Sequence, residues 1–127
     1  MNQARRAYQE SAVHGAKPVR LTILLYEQII QDVNRAADAI SARNFEAVAG
    51  EVSHATGVIG YLQATLQREK GGAVARNLSN FYTMLREQLM EAQVRCSREI
   101  FDRLRENMIE VREAWLKVEA DSDQVSA

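Results

Sequence analysis

Glu51 and His54 stand three residues apart, the E-x-x-H spacing by which one helix of a ferritin-like bundle offers two metal ligands from one face. A di-metal centre also needs a second such pair and inward carboxylates on the other helices. The other histidine, His14, lies near the start of the chain, and no further E-x-x-H occurs. His54 is followed by the small residues Ala55, Thr56 and Gly57, as is the exposed histidine of a four-helix phosphotransfer module. Such modules place a lysine three residues on to stabilise the added phosphate, and Gly57 occupies that position here. Surface side chains are therefore the expectation for Glu51 and His54, with a histidine phosphotransfer module using His54 as the alternative function.

Cys96 has no sequence-adjacent histidine and closes an apolar helical stripe, so a packed thiol is expected rather than a nucleophile. Gly71 and Gly72 lack the Lys and Ser/Thr that complete a phosphate loop, and no serine sits in a nucleophile elbow. The chain is expected to be no enzyme, with no cofactor and no metal.

The elements that would carry these residues are helical. A length of 127 residues fits one domain that buries a core without staples, and a single cysteine excludes an internal disulfide. No apolar leader segment opens the chain and no span approaches membrane length, so a cytoplasmic setting is expected. The net charge of -1 arises from 16 basic and 17 acidic residues mixed throughout, which argues against nucleic acid or an anionic membrane surface as partner.

Pro18 suits a first helical position, and Thr22, Tyr26, Ile29, Val33, Ala36, Ala37 and Ile40 then form a stripe over residues 18–41. Asn44 is placed to cap a second helix, which Lys70 and a left-handed Gly71 end. Along it run two stripes. Phe45, Val48, Val52, Ala55, Ile59, Leu62 and Leu66 face one way, and Gly50, Ser53, Gly57, Gly60 and Ala64 lie roughly 150° around the helix. The first fills a core. The second either admits a partner at close range or marks a helix that tolerates glycine or abuts its own neighbour.

Val74, Leu78, Phe81, Leu85, Leu89, Ala92 and Cys96 define a third helix over residues 73–95, flanked by Tyr82 and Met84. Ser97 is a candidate N-cap for a fourth, carrying Phe101, Leu104, Met108, Val111, Trp115 and Val118 to about residue 119. Short connections force sequential antiparallel neighbours. The expected fold is all-α: an up-down-up-down four-helix bundle over residues 17–120, with a flexible N-terminal arm over 1–16 and a disordered tail over 121–127. Leu21, Leu24, Ile109 and Leu116 lie beside the inward stripes and suggest an apolar groove.

The order of motifs completes a pattern. Tyr8 in the arm precedes Ala16-Lys17-Pro18, then come Leu24-Leu25-Tyr26-Glu27, Lys70-Gly71-Gly72, Leu78, Phe81-Tyr82 and Glu113-Ala114-Trp115. From Tyr8 to about Lys117 the chain resembles the flagellar secretion chaperone family FliS; Gln28 and Gln93 depart from the family's usual residues. The resemblance implies a cytosolic export chaperone that binds the disordered C-terminal segment of flagellin in hydrophobic grooves, prevents premature polymerisation and helps deliver it to the export apparatus. Further implied partners are the flagellar export gate and flagellar regulatory proteins, with the chain a monomer or weak dimer. It also implies that the arm covers part of the groove when cargo is absent, and that Tyr8, Leu25, Tyr26, Leu78 and Tyr82 form or support the groove. Together with Leu21, Leu24, Gly57 and Gly60 from the surface argument, these are the expected cargo-binding residues.

Overall fold

Each turn of the chain is made by residues suited to it. The Asn44 side chain accepts a hydrogen bond from the Ala47 N–H at 3.2 Å, and the Ser97 hydroxyl accepts one from the Ile100 N–H at 3.2 Å, so both expected caps satisfy otherwise orphaned donors. The computed structural model describes residues 18–69 and 71–126, and between these turns it places four helices: α1 (Pro18–Ser41), α2 (Phe45–Glu69), α3 (Gly72–Arg95) and α4 (Arg98–Ser126). The arm over 1–16, with Tyr8 and His14, lies outside the described residues.

Two boundaries differ from expectation. The left-handed residue between α2 and α3 is Gly72, at φ 63°, while Gly71 has φ -77°. The last helix continues to Ser126 instead of ending near Glu119, because the residues after Glu119 include neither proline nor glycine to stop it.

The helices form an antiparallel ring in which each contacts its sequence neighbours and α4 closes back on α1. The α1–α4 and α1–α2 seams are the most extensive, and α3–α4 the least. Arg20, at the start of α1, donates from Nε to Glu119 of α4 at 2.7 Å, and its Nη2 pairs with the same carboxylate. At the opposite end Arg98 donates to the Ala37 carbonyl at 3.1 Å and to the Ser41 hydroxyl at 2.7 Å. Between α2 and α3, Gln63 donates to the Ser79 carbonyl at 3.0 Å and to the Thr83 hydroxyl at 2.9 Å, which fixes their register.

Because α1 is enclosed on two sides, its buried arc is wider than a single stripe: Ile23, Leu25, Ile29, Ile30 and Val33 are all buried, and Ile23 takes the inward place expected for Thr22. Tyr26 and Tyr82 are both fully enclosed, their hydroxyls 2.8 Å apart and their rings edge-on at 6.2 Å. Trp115 meets Tyr26 edge-on from α4. Phe45, Val74 and Val118, expected in the core stripes, are instead at least half exposed. Phe45 and Val74 lie in the first turns of their helices, and Val118 lies beside Glu119, level with the start of α1, so the 3.6-residue period continues there while the flanking helices run out.

Cys96 is exposed, not packed. It occupies a left-handed cap at φ 51°, its N–H and that of Ser97 bonding to the Gln93 and Ala92 carbonyls, so the chain has left the α3 face before the thiol is placed.

Burial pushes the Tyr26 phenol above its ordinary value of 10.0, with polar contacts from Tyr82 and Trp115 offsetting part of the rise. The unfolded chain therefore loses this proton first as pH increases, so the stabilisation is complete below pH 10.0 and is lost as pH climbs from there through the folded-state value. Urea melts from pH 9 to about 11 are expected to show falling stability, with a shallower fall for Tyr26→Phe. An unchanged slope in the variant would contradict this.

Candidate functional site

The second stripe of α2 owes nothing to internal packing. A Cβ added at Gly50, Gly57 or Gly60 would meet no atom within 4 Å, so these glycines are not spaces into which a neighbouring helix fits. Of the three explanations for the stripe, close abutment on the bundle's own helices is removed at these positions. Three glycines cost the helix about 1 kcal/mol each relative to alanine without a packing return.

Around this band lie apolar side chains that the core does not use. Tyr61 is 48% exposed on α2, while Met90 and Val94 on α3 are 59% and 74% exposed. The Gln63–Thr83 bond and the antiparallel run of α2 and α3 bring the outer rows of these helices beside one another. The result is a shallow surface with a floor of glycine, serine and alanine and an edge of methionine, valine and tyrosine. Methionine and tyrosine suit such a surface, being adaptable and amphipathic respectively.

The other expected residues fall in different places. Leu25, Tyr26 and Tyr82 are buried within the core, where they hold the helices that bear the surface. Leu78 and Leu21 are half-buried against that core, as is Ile109, so the apolar residues beside the α1 and α4 stripes mostly belong to the extensive α1–α4 seam. Leu24 instead opens onto a cleft of about 400 Å³ between α1 and α4, whose walls include Glu27, Ile30, Gln31, Asn34 and Arg112. A smaller recess between α3 and α4, about 270 Å³, is edged by Gln88, Glu91, Arg95 and Arg103 and offers little apolar area. Tyr8 lies outside the described residues.

Glu51 and His54 are not simple surface side chains. His54 is about one-third exposed, and its Nδ1 is 2.5 Å from Oδ2 of Asp32, a carboxylate completely removed from solvent on α1. Gln28 donates to the other Asp32 oxygen at 3.1 Å. A buried carboxylate requires such partners, and this one links α1 to α2. Asp32 escaped the sequence reading, although an aspartate between Ile30 and Val33 in the apolar arc of α1 was the available signal. Glu51 is half-buried. Among the described residues, no group of three or more His, Cys, Asp or Glu side chains is gathered as for a metal ion, and no helix is long and apolar enough to cross a membrane.

Comparison with known proteins gives a consistent set of relatives. The family model described as flagellar protein FliS matches residues 1–122. The chain is similar to the flagellar secretion chaperone FliSB of Pseudomonas aeruginosa, 28% identical over 115 residues that cover 91% of each protein. It is similar to the flagellar secretion chaperone FliS of Salmonella typhimurium at 29% over 110 residues, 86% of this chain and 82% of the relative. The corresponding protein of Campylobacter jejuni is 37% identical over 82 residues, 65% of this chain and 64% of the relative. None of these matches supports phosphotransfer at His54.

Removing His54 takes a partner from the buried Asp32 carboxylate. His54→Ala is expected to lower stability by about 2 kcal/mol, less than for a fully buried pair because the imidazole is partly solvated. Adding Asp32→Asn should recover part of the loss, because the remaining group is then neutral. Denaturant melts of the single and double variants measure this, and strictly additive losses would contradict the coupling.

Proposed function

The chain belongs to the FliS family, whose curated relatives are flagellar secretion chaperones, and on that premise we propose that it is a cytoplasmic export chaperone for the C-terminal segment of flagellin. It holds that segment folded onto the outside of the bundle, prevents premature polymerisation and presents the cargo to the export apparatus. FliS is a chaperone family and not an enzyme family, which agrees with a surface designed for contact and not for bond making.

The observation that carries this reading is the outer face of α2 and its α3 margin. Gly57 and Gly60 leave open space where a helix of this composition would more stably carry alanine, and Tyr61, Met90 and Val94 remain exposed beside them. Small residues let a partner's backbone approach closely, while the apolar margin supplies area to remove from water. A disordered segment that orders on binding must offset about 2–5 kcal/mol or more of ordering cost, so it needs a long contact. Extending the contact from the α2 face towards Leu21, Leu24 and Leu78 gives it that length, with Leu25, Tyr26 and Tyr82 setting the helices beneath and Tyr8 of the arm engaging the same cargo. Export-gate proteins and flagellar regulators are the further partners this role entails.

Calorimetry with the C-terminal segment of the flagellin encoded in the same genome is expected to give submicromolar affinity and a negative heat-capacity change. No binding at tens of micromolar would overturn the proposal. Gly57→Leu or Gly60→Leu should fold normally, since added atoms at the first position of each side chain meet nothing, yet weaken cargo binding about tenfold or more. Equal affinity in the folded variants would remove the α2 face from the binding surface.

A further inference from the structure

Among the described residues the methionines have unlike surroundings: Met108 is fully buried, Met84 is 37% exposed and Met90 is 59% exposed. A thioether reacts with hydrogen peroxide through a lone pair on sulfur, so access from solvent decides which of them reacts. Met84 shares the row of Gln88, Glu91 and Arg95, the α3 residues of the recess with α4, and lies roughly 120° around the helix from Met90. Met90 shares the row of Thr83, on the α2 side. Gln63 bonds to Ser79 and Thr83 across an antiparallel seam, so two turns further along α3 brings Met90 level with Thr56 and Gly57, two turns back along α2. Its thioether stands at the margin of the open space over Gly57.

Oxidation at this position changes the surface and spares the core. The sulfur lone pair takes one oxygen from the peroxide and the O–O bond breaks; the hydrogen on the transferred oxygen passes to the departing hydroxide, which leaves as water. Sulfur is oxidised by two electrons and the peroxide is reduced. A weak acceptor thereby becomes a sulfoxide, polar and strongly accepting. In the free protein its oxygen stands in water. Beneath the apolar side chains of a bound segment it exchanges water for carbon, which weakens binding without touching the fold. We propose that Met90 is an oxidation site through which hydroperoxides control cargo binding: its sulfoxide loosens the hold of the α2–α3 face, and thiol-dependent reduction restores it. In that return step two thiols are oxidised to a disulfide, their hydrogens and the sulfoxide oxygen leaving as water. This rests on the reading of the α2 face and its α3 margin as the carrier surface, and adds to that surface a means of release.

The test uses the full chain carrying Cys96→Ser, so that the exposed thiol does not react, and hydrogen peroxide that catalase destroys before the flagellin C-terminal segment is added. Peptide mass spectrometry should find the added oxygen on Met90 ahead of Met84, with Met108 untouched. The melting temperature should stay the same while cargo affinity falls about tenfold, and a methionine sulfoxide reductase with dithiothreitol should restore it. In Met90→Leu, whatever its own affinity, peroxide should change nothing, whereas Met84→Leu should remain as sensitive as its parent. Oxygen on Met84 before Met90, unaltered affinity in protein fully oxidised at Met90, an equal peroxide effect in Met90→Leu, or a melting temperature that falls with the affinity would each overturn the assignment while leaving the chaperone reading intact. Failure of the unoxidised chain to bind the segment would overturn both.

Discussion

The hydroxyl contact between Tyr26 and Tyr82 joins helices whose backbones do not come close to each other. Among the described residues α1 and α3 sit diagonally in the ring, without close backbone contact, yet these two side chains meet at its centre. Two phenols buried in an apolar core must satisfy each other's polar atoms, and that requirement is directional where packing alone is not. It sets how far α3 slides and rotates relative to α1. Trp115, edge-on to Tyr26, brings α4 into the same arrangement. The outward placement of Gly57, Gly60, Met90 and Val94 follows from this, because a helix whose inner face is fixed has no freedom in choosing its outer one.

Polar links between adjacent helices then refine what the aromatic centre begins. Asp32 and His54 hold α1 to α2, and Gln63 holds α2 to α3 through Ser79 and Thr83. These differ in kind. The first is a buried carboxylate whose partners it cannot lose cheaply, while the second is a set of neutral bonds near the surface. Such bonds are weak evidence for net stability, but they penalise alternative registers in which donors and acceptors would separate.

Much of this was legible in the sequence because it depends on period and capping. Pro18, Asn44, Ser97 and the three-four spacing of Val48, Val52, Ala55, Ile59 and Leu62 suffice to place helices and their inward faces. What eluded the reading depends on neighbours. Phe45, Val74 and Val118 keep the period but lie where the flanking helices stop, and Cys96 follows it one residue past the end of α3. Asp32 has no meaning in the sequence alone, because its partner His54 comes within reach only through the packing of α2 on α1. At the proposed surface, the glycine stripe was visible from spacing, but only the bundle's geometry could say that it meets open space.

The ring of four helices has one seam unlike the others. A short turn ties α1 to α2, α2 to α3 and α3 to α4, whereas α4 meets α1 with no covalent connection across the seam. Its ends are fastened by Arg20 with Glu119 and by Arg98 with Ala37, Asp38 and Ser41. These are partly exposed ionic and polar fastenings, and dissolved salt weakens them in a way it cannot weaken a backbone turn. The bundle therefore has a hasp rather than a fourth hinge, and the cleft beside Leu24 and Arg112 lies between its two catches.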